Sequence, residues 1–508
     1  MEDKKIITIK KINKSFGGVH ALKNIDFNVY ENEIRCLVGE NGCGKSTLIK
    51  VISGFHKFDS GELNIFNKPI SNHSPEIAIK MGIQVIYQDF ALFPNMTIAE
   101  NIMMYQTVES KKHLYKQKEK EEIAQSIVKK IDYKIDLKKY VYQLTVAEKQ
   151  MVAICRALVV NPKLLIMDEP TTALTKPEVV KLFEIVRKLK KQGVSTLFVS
   201  HKLDEIYQVC ESITIMRNGE NVFENVKGDK LPDKDEVVYY MTGRKVDNSR
   251  FEYNREDKKL LMEVKDYSLN GCFKNINFKL YEGEILGITG LLGSGRSEFA
   301  ESLFGVIPAD SGSIKLENKE IGIIKSINQA KQNRISYVPD DRLAKGLHLK
   351  QSIEDNAVAG IIDDLSSKSG VINKDKENEF KEKSFNDIRI PNLHVKNYAS
   401  SLSGGNQQKV VLIKWLATKP KILILNCPTV GVDIGAKSEI LNLIKKLATE
   451  KKIGVILISD DVYEILQVCN RVMIMRSGQI TEKMSTKEVT TTMLDNLINK
   501  NDAKEKKE

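Results

Sequence analysis

GENGCGKST, Gly39 to Thr47, is the stretch on which the reading of this 508-residue chain turns. It fits G-x-x-x-x-G-K-[ST] with Gly39, Gly44, Lys45 and Ser46, while Glu40, Asn41, Gly42, Cys43 and Thr47 complete the loop. The run Ile34 to Val38 before it reads as a buried strand, and STLIKVI from Ser46 reads as the start of a helix. A strand, a glycine loop and a helix N-terminus aim backbone N–H groups and the positive end of a dipole at phosphate. In that setting Lys45 would reach the β- and γ-phosphates, and the Ser46 hydroxyl would ligate Mg²⁺.

A damaged copy, GLLGSGRSE, runs from Gly290 to Glu298, 251 residues further on. The repetition extends beyond the loops. SGELNIF from Ser60 is answered by SGSIKLE from Ser311, and QLTVAEKQMVAICRAL from Gln143 by SLSGGNQQKVVLIKWL from Ser401. LLIMDEPTTALT from Leu164 matches ILILNCPTVGVD from Ile422, and LFVSHKLDEI from Leu197 matches LISDDVYEI from Leu457. Such a repeat overrides the domain count that length alone suggests. The expected organisation is a first domain over 1–243, a polar linker over 244–258, a second domain over 259–500 and a charged tail over 501–508. Alternating strands and helices in each half predict an α/β sheet of the P-loop kind.

Composition narrows the class. Lys and Arg number 78 against 67 Asp and Glu, a formal net charge of +11. The Lys is interleaved with Glu, as in SKKHLYKQKEKEEIAQ from Ser110, which reads as a solvated helix face and not as a nucleic-acid stripe. No apolar run reaches membrane-span length, and MEDKKIITIKK carries no apolar stretch of signal-peptide length, so a cytoplasmic location is expected. The seven cysteines are scattered without a C-x-x-C pair, which argues against zinc sites and disulfide frameworks.

The order of P-loop, Gln-containing loop, LSGGN-type signature, acid-ended strand and SH dipeptide resembles the ATP-binding cassette (ABC) ATPases. Arg in the second P-loop, MTGR closing the first half and LSGGNQQK in the second are similar to the tandem ATPase subunits of bacterial monosaccharide importers, the ribose, galactose, arabinose and xylose systems. The resemblance covers nearly the whole chain. It implies two nucleotide-binding domains, each with a RecA-like core, an antiparallel β subdomain and a helical subdomain. It implies an ATPase with ATP and Mg²⁺ as ligands, working beside membrane permease subunits, two copies by expectation, and indirectly with an extracytoplasmic sugar-binding protein. The place implied is the cytoplasmic face of the inner membrane, with no nucleic acid involved.

The resemblance also implies that the halves meet head to tail, each nucleotide lying between one P-loop and the other half's signature. Site one then joins the first P-loop to Ser403, Gly404, Gly405 and Asn406. LLIMDE is an apolar strand ending in two carboxylates, costly unless a metal and a water occupy them. Asp168 would hold the Mg²⁺ shell and Glu169 would polarise the attacking water. Gln88 matches the family's Gln loop, touching metal or water, His201 matches the switch histidine, and Phe16 matches the aromatic stacked on adenine, though as a lone aromatic it reads equally as core.

Site two joins Gly290, Gly295, Arg296 and Ser297 to LTVAE, where Val146 and Ala147 stand in place of both glycines. Asn426 and Cys427 replace the two acids, Asp460 replaces the histidine, and Asp340 stands at the Gln position. Arg keeps charge in a bulkier fork, Asn lacks charge for a metal, and Cys is a soft, short base. The importer family usually retains Asp-Glu in this second strand, so Asn426-Cys427 is a departure. Site two is expected not to turn over.

Two further expectations attach to the first half. Cys43, at a helix N-terminus, is either a thiol leaning toward thiolate, with alkylation inactivating the protein and ATP protecting it, or an unreactive small filler. FALFPNMTIAENIMMY, Phe90 to Tyr105, is either a docking surface for the permease or helical core, residue by residue. A tandem ATPase acting on ribosomes also lacks membrane spans, but would carry two intact sites and a long charged linker. Nucleosides or a sugar-like signalling molecule are the alternative cargoes.

Overall fold

In the computed structural model the run preceding the P-loop is a strand, Ile34–Gly39, buried at every position. The structure describes residues 4–109, 115–172, 174–200, 202–226, 228–245, 249–254, 256–367, 371–387 and 394–500. The strand is the third of a six-stranded sheet ordered Glu220–Glu224, Ser212–Arg217, Ile34–Gly39, Ser195–Val199, Leu164–Asp168, Ile83–Ile86. The last five run parallel and only the first edge strand is antiparallel. A strand covered on both faces reads as a continuous apolar run. Arg35 breaks that run while remaining fully buried. Its guanidinium meets Glu33 at 3.2 Å, Thr214 Oγ1 at 2.8 Å and the Asn225 carbonyl at 3.0 Å, so the charge is matched where it lies.

The chain divides into two units, Met1–Val246 and Asp247–Glu508. The second has a sheet of the same order, from Ile335–Val338 through Ile422–Asn426, Gly454–Ile458, Ile285–Thr289 and Arg471–Arg476 to Gln479–Ser485. Each unit adds a four-stranded antiparallel sheet, in which Lys5–Phe16 pairs with Val19–Tyr30 and Ser60–Ile65, and Leu260–Leu269 with Phe273–Tyr281 and Ser311–Leu316. Each also has helices lying apart from the sheet. In the first unit Ile98–Glu109 packs on Gln117–Lys130 and on Val146–Leu158; in the second Ile353–Val358 packs on Gly404–Leu416 and Lys374–Asp387. Among the described residues no helix is long and apolar enough to cross a membrane.

Of the charged run from Ser110, residues 110–114 lie outside the described residues. Gln117–Lys130 shows solvent most of its charge and buries only Ala124, Ile127 and Val128. In FALFPNMTIAENIMMY, Ile98, Ala99, Ile102 and Met103 are core while Phe93 is 49% exposed. Of the join over 244–258, residues 244–245 fall in the first unit, and Ser249 to Asn254 are tied to the second. Arg250 donates to the Thr486 and Val489 carbonyls at 2.8 and 3.3 Å, the Phe251 amide donates to Gln467 O at 2.9 Å, and Lys445 holds Ser249 O at 2.8 Å. The Phe251 side chain rests on the second unit's core. The tail 501–508 lies outside the described residues.

Candidate functional site

The first P-loop closes tightly because two glycines allow it. A Cβ on Gly39 would stand 2.4 Å from the Met216 carbonyl, and one on Gly44, at φ +108°, 2.5 Å from that of Ala21. Helix Lys45–Ile52 starts directly from Gly44. Lys45 is buried, its ammonium donating to the Gly39 and Glu40 carbonyls at 2.7 and 2.8 Å. Asn41 and Gly42 are exposed on the loop, and Ser46 is exposed in the first turn of the helix. Phe16 is 43% exposed, edge-on to His56 at 5.0 Å, so it is not core.

For Cys43 the structure favours the filler over the thiolate. Its side chain is 5% exposed, and burial pushes the thiol up from its ordinary range even though Lys45 pulls the other way. The helix N-terminus does not offset that desolvation, so Cys43 is a buried thiol and not a poised thiolate.

At the end of strand Leu164–Asp168, Asp168 and Glu169 are half-buried side by side. Burial, then the Glu169 charge, raises the Asp168 carboxyl, with Lys45 and Lys50 drawing it down. Glu169 sits at φ +46°, its amide donating to Val199 O at 3.0 Å. Cys427 repeats this geometry at φ +48° with its amide on Ile458 O at 2.8 Å. The turn that presents the acid has survived where the acid has not. Gln88 is exposed beyond strand Ile83–Ile86. His201 lies outside the described residues.

The second loop has the same backbone. Cβ atoms on Gly290 and Gly295 would stand 2.2 Å from Met475 O and 2.4 Å from Cys272 O. Arg296 is buried with Nη1 on the Gly290 carbonyl at 2.7 Å, and Ser297 follows it half-buried. Asp460 pairs with Arg296 at 3.6 Å. Asp340 meets Lys345 at 3.3 Å. Cys427, read from sequence as a substitute base, has its thiol pushed up to about 12 by burial and then by Asp460, and so carries its proton at neutral pH.

The two signatures differ in a way the letters only partly show. Thr145 caps helix Val146–Leu158, taking the Glu148 amide at 3.3 Å and donating to the Glu148 carboxylate at 3.0 Å. Its hydroxyl is spent in a capping box. Ser403 occupies the same place before Gly404–Leu416 and makes no cap bond through its side chain. The signature glycines also have a local reason. A Cβ on Gly404 would meet the Arg342 guanidinium at 2.7 Å, and one on Gly405 the Ala436 side chain at 2.3 Å. Asn406 is half-buried beside them.

Several residues that tie these loops together have no motif to announce them. Glu205 accepts from Thr171 at 2.6 Å and Ser200 at 2.9 Å, linking the turn after Glu169 to the end of the neighbouring strand. Glu464 does the same with Thr429 and Ser459 in the second unit. Arg156 donates to the carbonyls of Phe90 and Ala91, just past Gln88, at 2.7 and 2.6 Å. The aligned Lys414 donates to Gly346 O, and burial lowers its amine to about 8. The available hint was that both pairs recur at matching places in the two halves.

A family pattern described as "ABC transporter" matches residues 22–172 and again 273–430. The chain is 38% identical over 486 residues to the ribose import ATP-binding protein RbsA of Bacillus licheniformis, covering 95% of this chain and 97% of that one. It is 35% identical over 485 residues to the putative ribose/galactose/methyl galactoside import ATP-binding protein 2 of Rhizobium meliloti, covering 96% and 94%. A crystallised nucleotide-free ATP-binding cassette from an ABC transporter is 28% identical, with a TM-score of 0.41, over 47% of this chain and 96% of that one.

Proposed function

This chain belongs to the ABC transporter family, and on that premise we propose that it hydrolyses ATP to drive import of a monosaccharide through a partner membrane permease. Hydrolysis is assigned to the first half. The observation that carries the reading is the likeness to sugar import ATP-binding proteins along 95% of the chain, joined to a first half that retains every charged group the chemistry asks for.

In this reading Lys45 leaves its loop carbonyls for the β- and γ-phosphates while the loop amides hold the remaining phosphate oxygens. Glu169 orients and deprotonates the attacking water, a role worth about 10²- to 10⁴-fold in rate. Phe16, exposed beside the loop, stacks on the adenine. Ser403, whose side chain makes no cap bond, and Gly404 to Asn406 are the signature assigned to nucleotide contact, and His201 is assigned to the γ-phosphate. Ser46, Gln88 and Asp168 fit Mg²⁺, two oxygens and a carboxylate crowded by a second carboxylate, and the ion supplies charge neutralisation on the phosphates when bound. Gln88 and the loop after it are assigned to relaying this state to the permease.

Residues 1–243 and 259–500 are taken as the two nucleotide-binding domains. The permease partners, a sugar-binding protein outside the membrane, and a peripheral position on its cytoplasmic face complete the assembly.

The full chain, affinity-captured from mildly solubilised membranes of its own source, is expected to bring down a polytopic permease. ATPase activity should fall at least about 100-fold in Glu169→Gln with ATP binding retained. Ribosomal proteins recovered without any permease, or turnover that survives Glu169→Gln, would sink the proposal.

A further inference from the structure

The second unit keeps the shape of a phosphate cradle while lacking the charges that accompany a divalent ion. Gly290 and Gly295 approach neighbouring carbonyls as closely as Gly39 and Gly44 do, and Arg296 supplies a buried cation anchored on the loop. Loop amides and a guanidinium are what an anion asks of such a site.

The acid strand opposite has changed in kind. Where the first half ends in Asp168 and Glu169, the second ends in Asn426 and Cys427, so two carboxylates have become a neutral amide and a thiol. The strand loses two units of charge, while Asp340 and Asp460, at the places of Gln88 and His201, bring two carboxylates elsewhere. Mg²⁺ is a hard ion that selects oxygen, above all carboxylate oxygen, and a thiol does not suit it. Asn426 is fully buried, its amide nitrogen donating to the Tyr337 hydroxyl at 3.3 Å and its amide oxygen enclosed without a partner among the described residues, so it is not open to an ion. Tyr337 pairs with Ile424 as Val85 pairs with Ile166, so a phenol has come in at the register where the first half has a small apolar side chain. The carboxylates still nearby, Asp340 and Asp460, face Lys345 and Arg296.

We propose that the second half binds a nucleoside triphosphate without a divalent metal ion, its acid strand having exchanged both carboxylates that would hold the ion for a neutral amide and a thiol. The inference rests on the reading of the first half as the metal-dependent hydrolytic site, and it makes the two nucleotides of one chain different in metal content.

The test uses the full chain carrying Glu169→Gln, with Mn²⁺ as a paramagnetic probe and labelled ATP counted on the same sample. Two ATP and one Mn²⁺ per chain are expected, and EDTA should strip the Mn²⁺ and one ATP while leaving the other. Two Mn²⁺ per chain, or only one ATP, overturns the proposal. Lys45→Ala isolates the second half, where one ATP that resists EDTA is expected and loss of that ATP to EDTA is fatal to the idea. The double change Asn426→Asp and Cys427→Glu should raise the count to two Mn²⁺. If that variant does not fold, the counts on the other two chains still decide. Failure of the first-half reading shows elsewhere, as turnover that survives Glu169→Gln.

Discussion

Arg156→Lys tests whether the loop after Gln88 is held in shape from the signature helix. Phe90 and Ala91 both lie in the left-handed region, at φ +58° and +45°. That conformation costs an L-residue about 1–2 kcal/mol, so the pair stores about 2–4 kcal/mol. The Arg156 fork meets both carbonyls, at 2.7 and 2.6 Å. Charge-assisted bonds contribute about 1.5–3 kcal/mol each, with the lower end apt here because the Ala91 contact is open to solvent. Two such bonds roughly balance the strain. Lysine, a single point charge without a fork, keeps one of them at most. The loss of about 1.5 kcal/mol corresponds to about a tenfold shift toward relaxed conformations. Native-state hydrogen exchange read on a peptide covering 85–97 should therefore speed up about tenfold, while the buried strand Ile34–Gly39 is unchanged. Exchange in 85–97 that matches the wild type would refute the reasoning.

Two further outcomes follow from burial. Cys155 is a buried thiol and Cys427 a half-buried one, both pushed up to about 12, so each binds its proton more tightly folded than unfolded. The stability this contributes is complete below the ordinary thiol value of about 8.5 and is lost as pH rises from there toward 12. Urea unfolding between pH 8 and 10.5 should show a falling midpoint whose slope lessens in Cys155→Ala, and an unaltered slope would contradict the assignment. Glu205→Ala leaves the Thr171 and Ser200 hydroxyls buried without their acceptor and should cost about 2–5 kcal/mol. A first-unit melting transition within one degree of wild type would count against that role.

Much of the fold was legible because it is written locally and written twice. The strand before Gly39, the helix after Gly44 and the acid-ended strand Leu164–Asp168 each follow from a short run of residues, and the second unit repeats their order. The candidate site was legible wherever a motif fixes a backbone. What escaped depends on partners far away in the chain. Arg35 inside a buried strand is tolerable only because Glu33, Thr214 and Asn225 converge on it. The helix N-terminus argued for a thiolate at Cys43, but the enclosure of its side chain raises the thiol instead. The pairing of Asp460 with Arg296 depends on two loops being brought together. The fork of Arg156 fits no motif, since nothing in ICRAL announces which carbonyls it will find.

The strap from Ser249 to Asn254 bears on how the duplicated chain can be cut. Arg250, Phe251 and Ser249 are bonded to the second unit's own helices and loops, so a fragment begun at Lys259 would leave the Thr486, Val489 and Gln467 carbonyls and a patch of core bare. One begun at Ser249 retains its wrapping. The seam of the duplication is thus not neutral ground, because one of the two copies has annexed it.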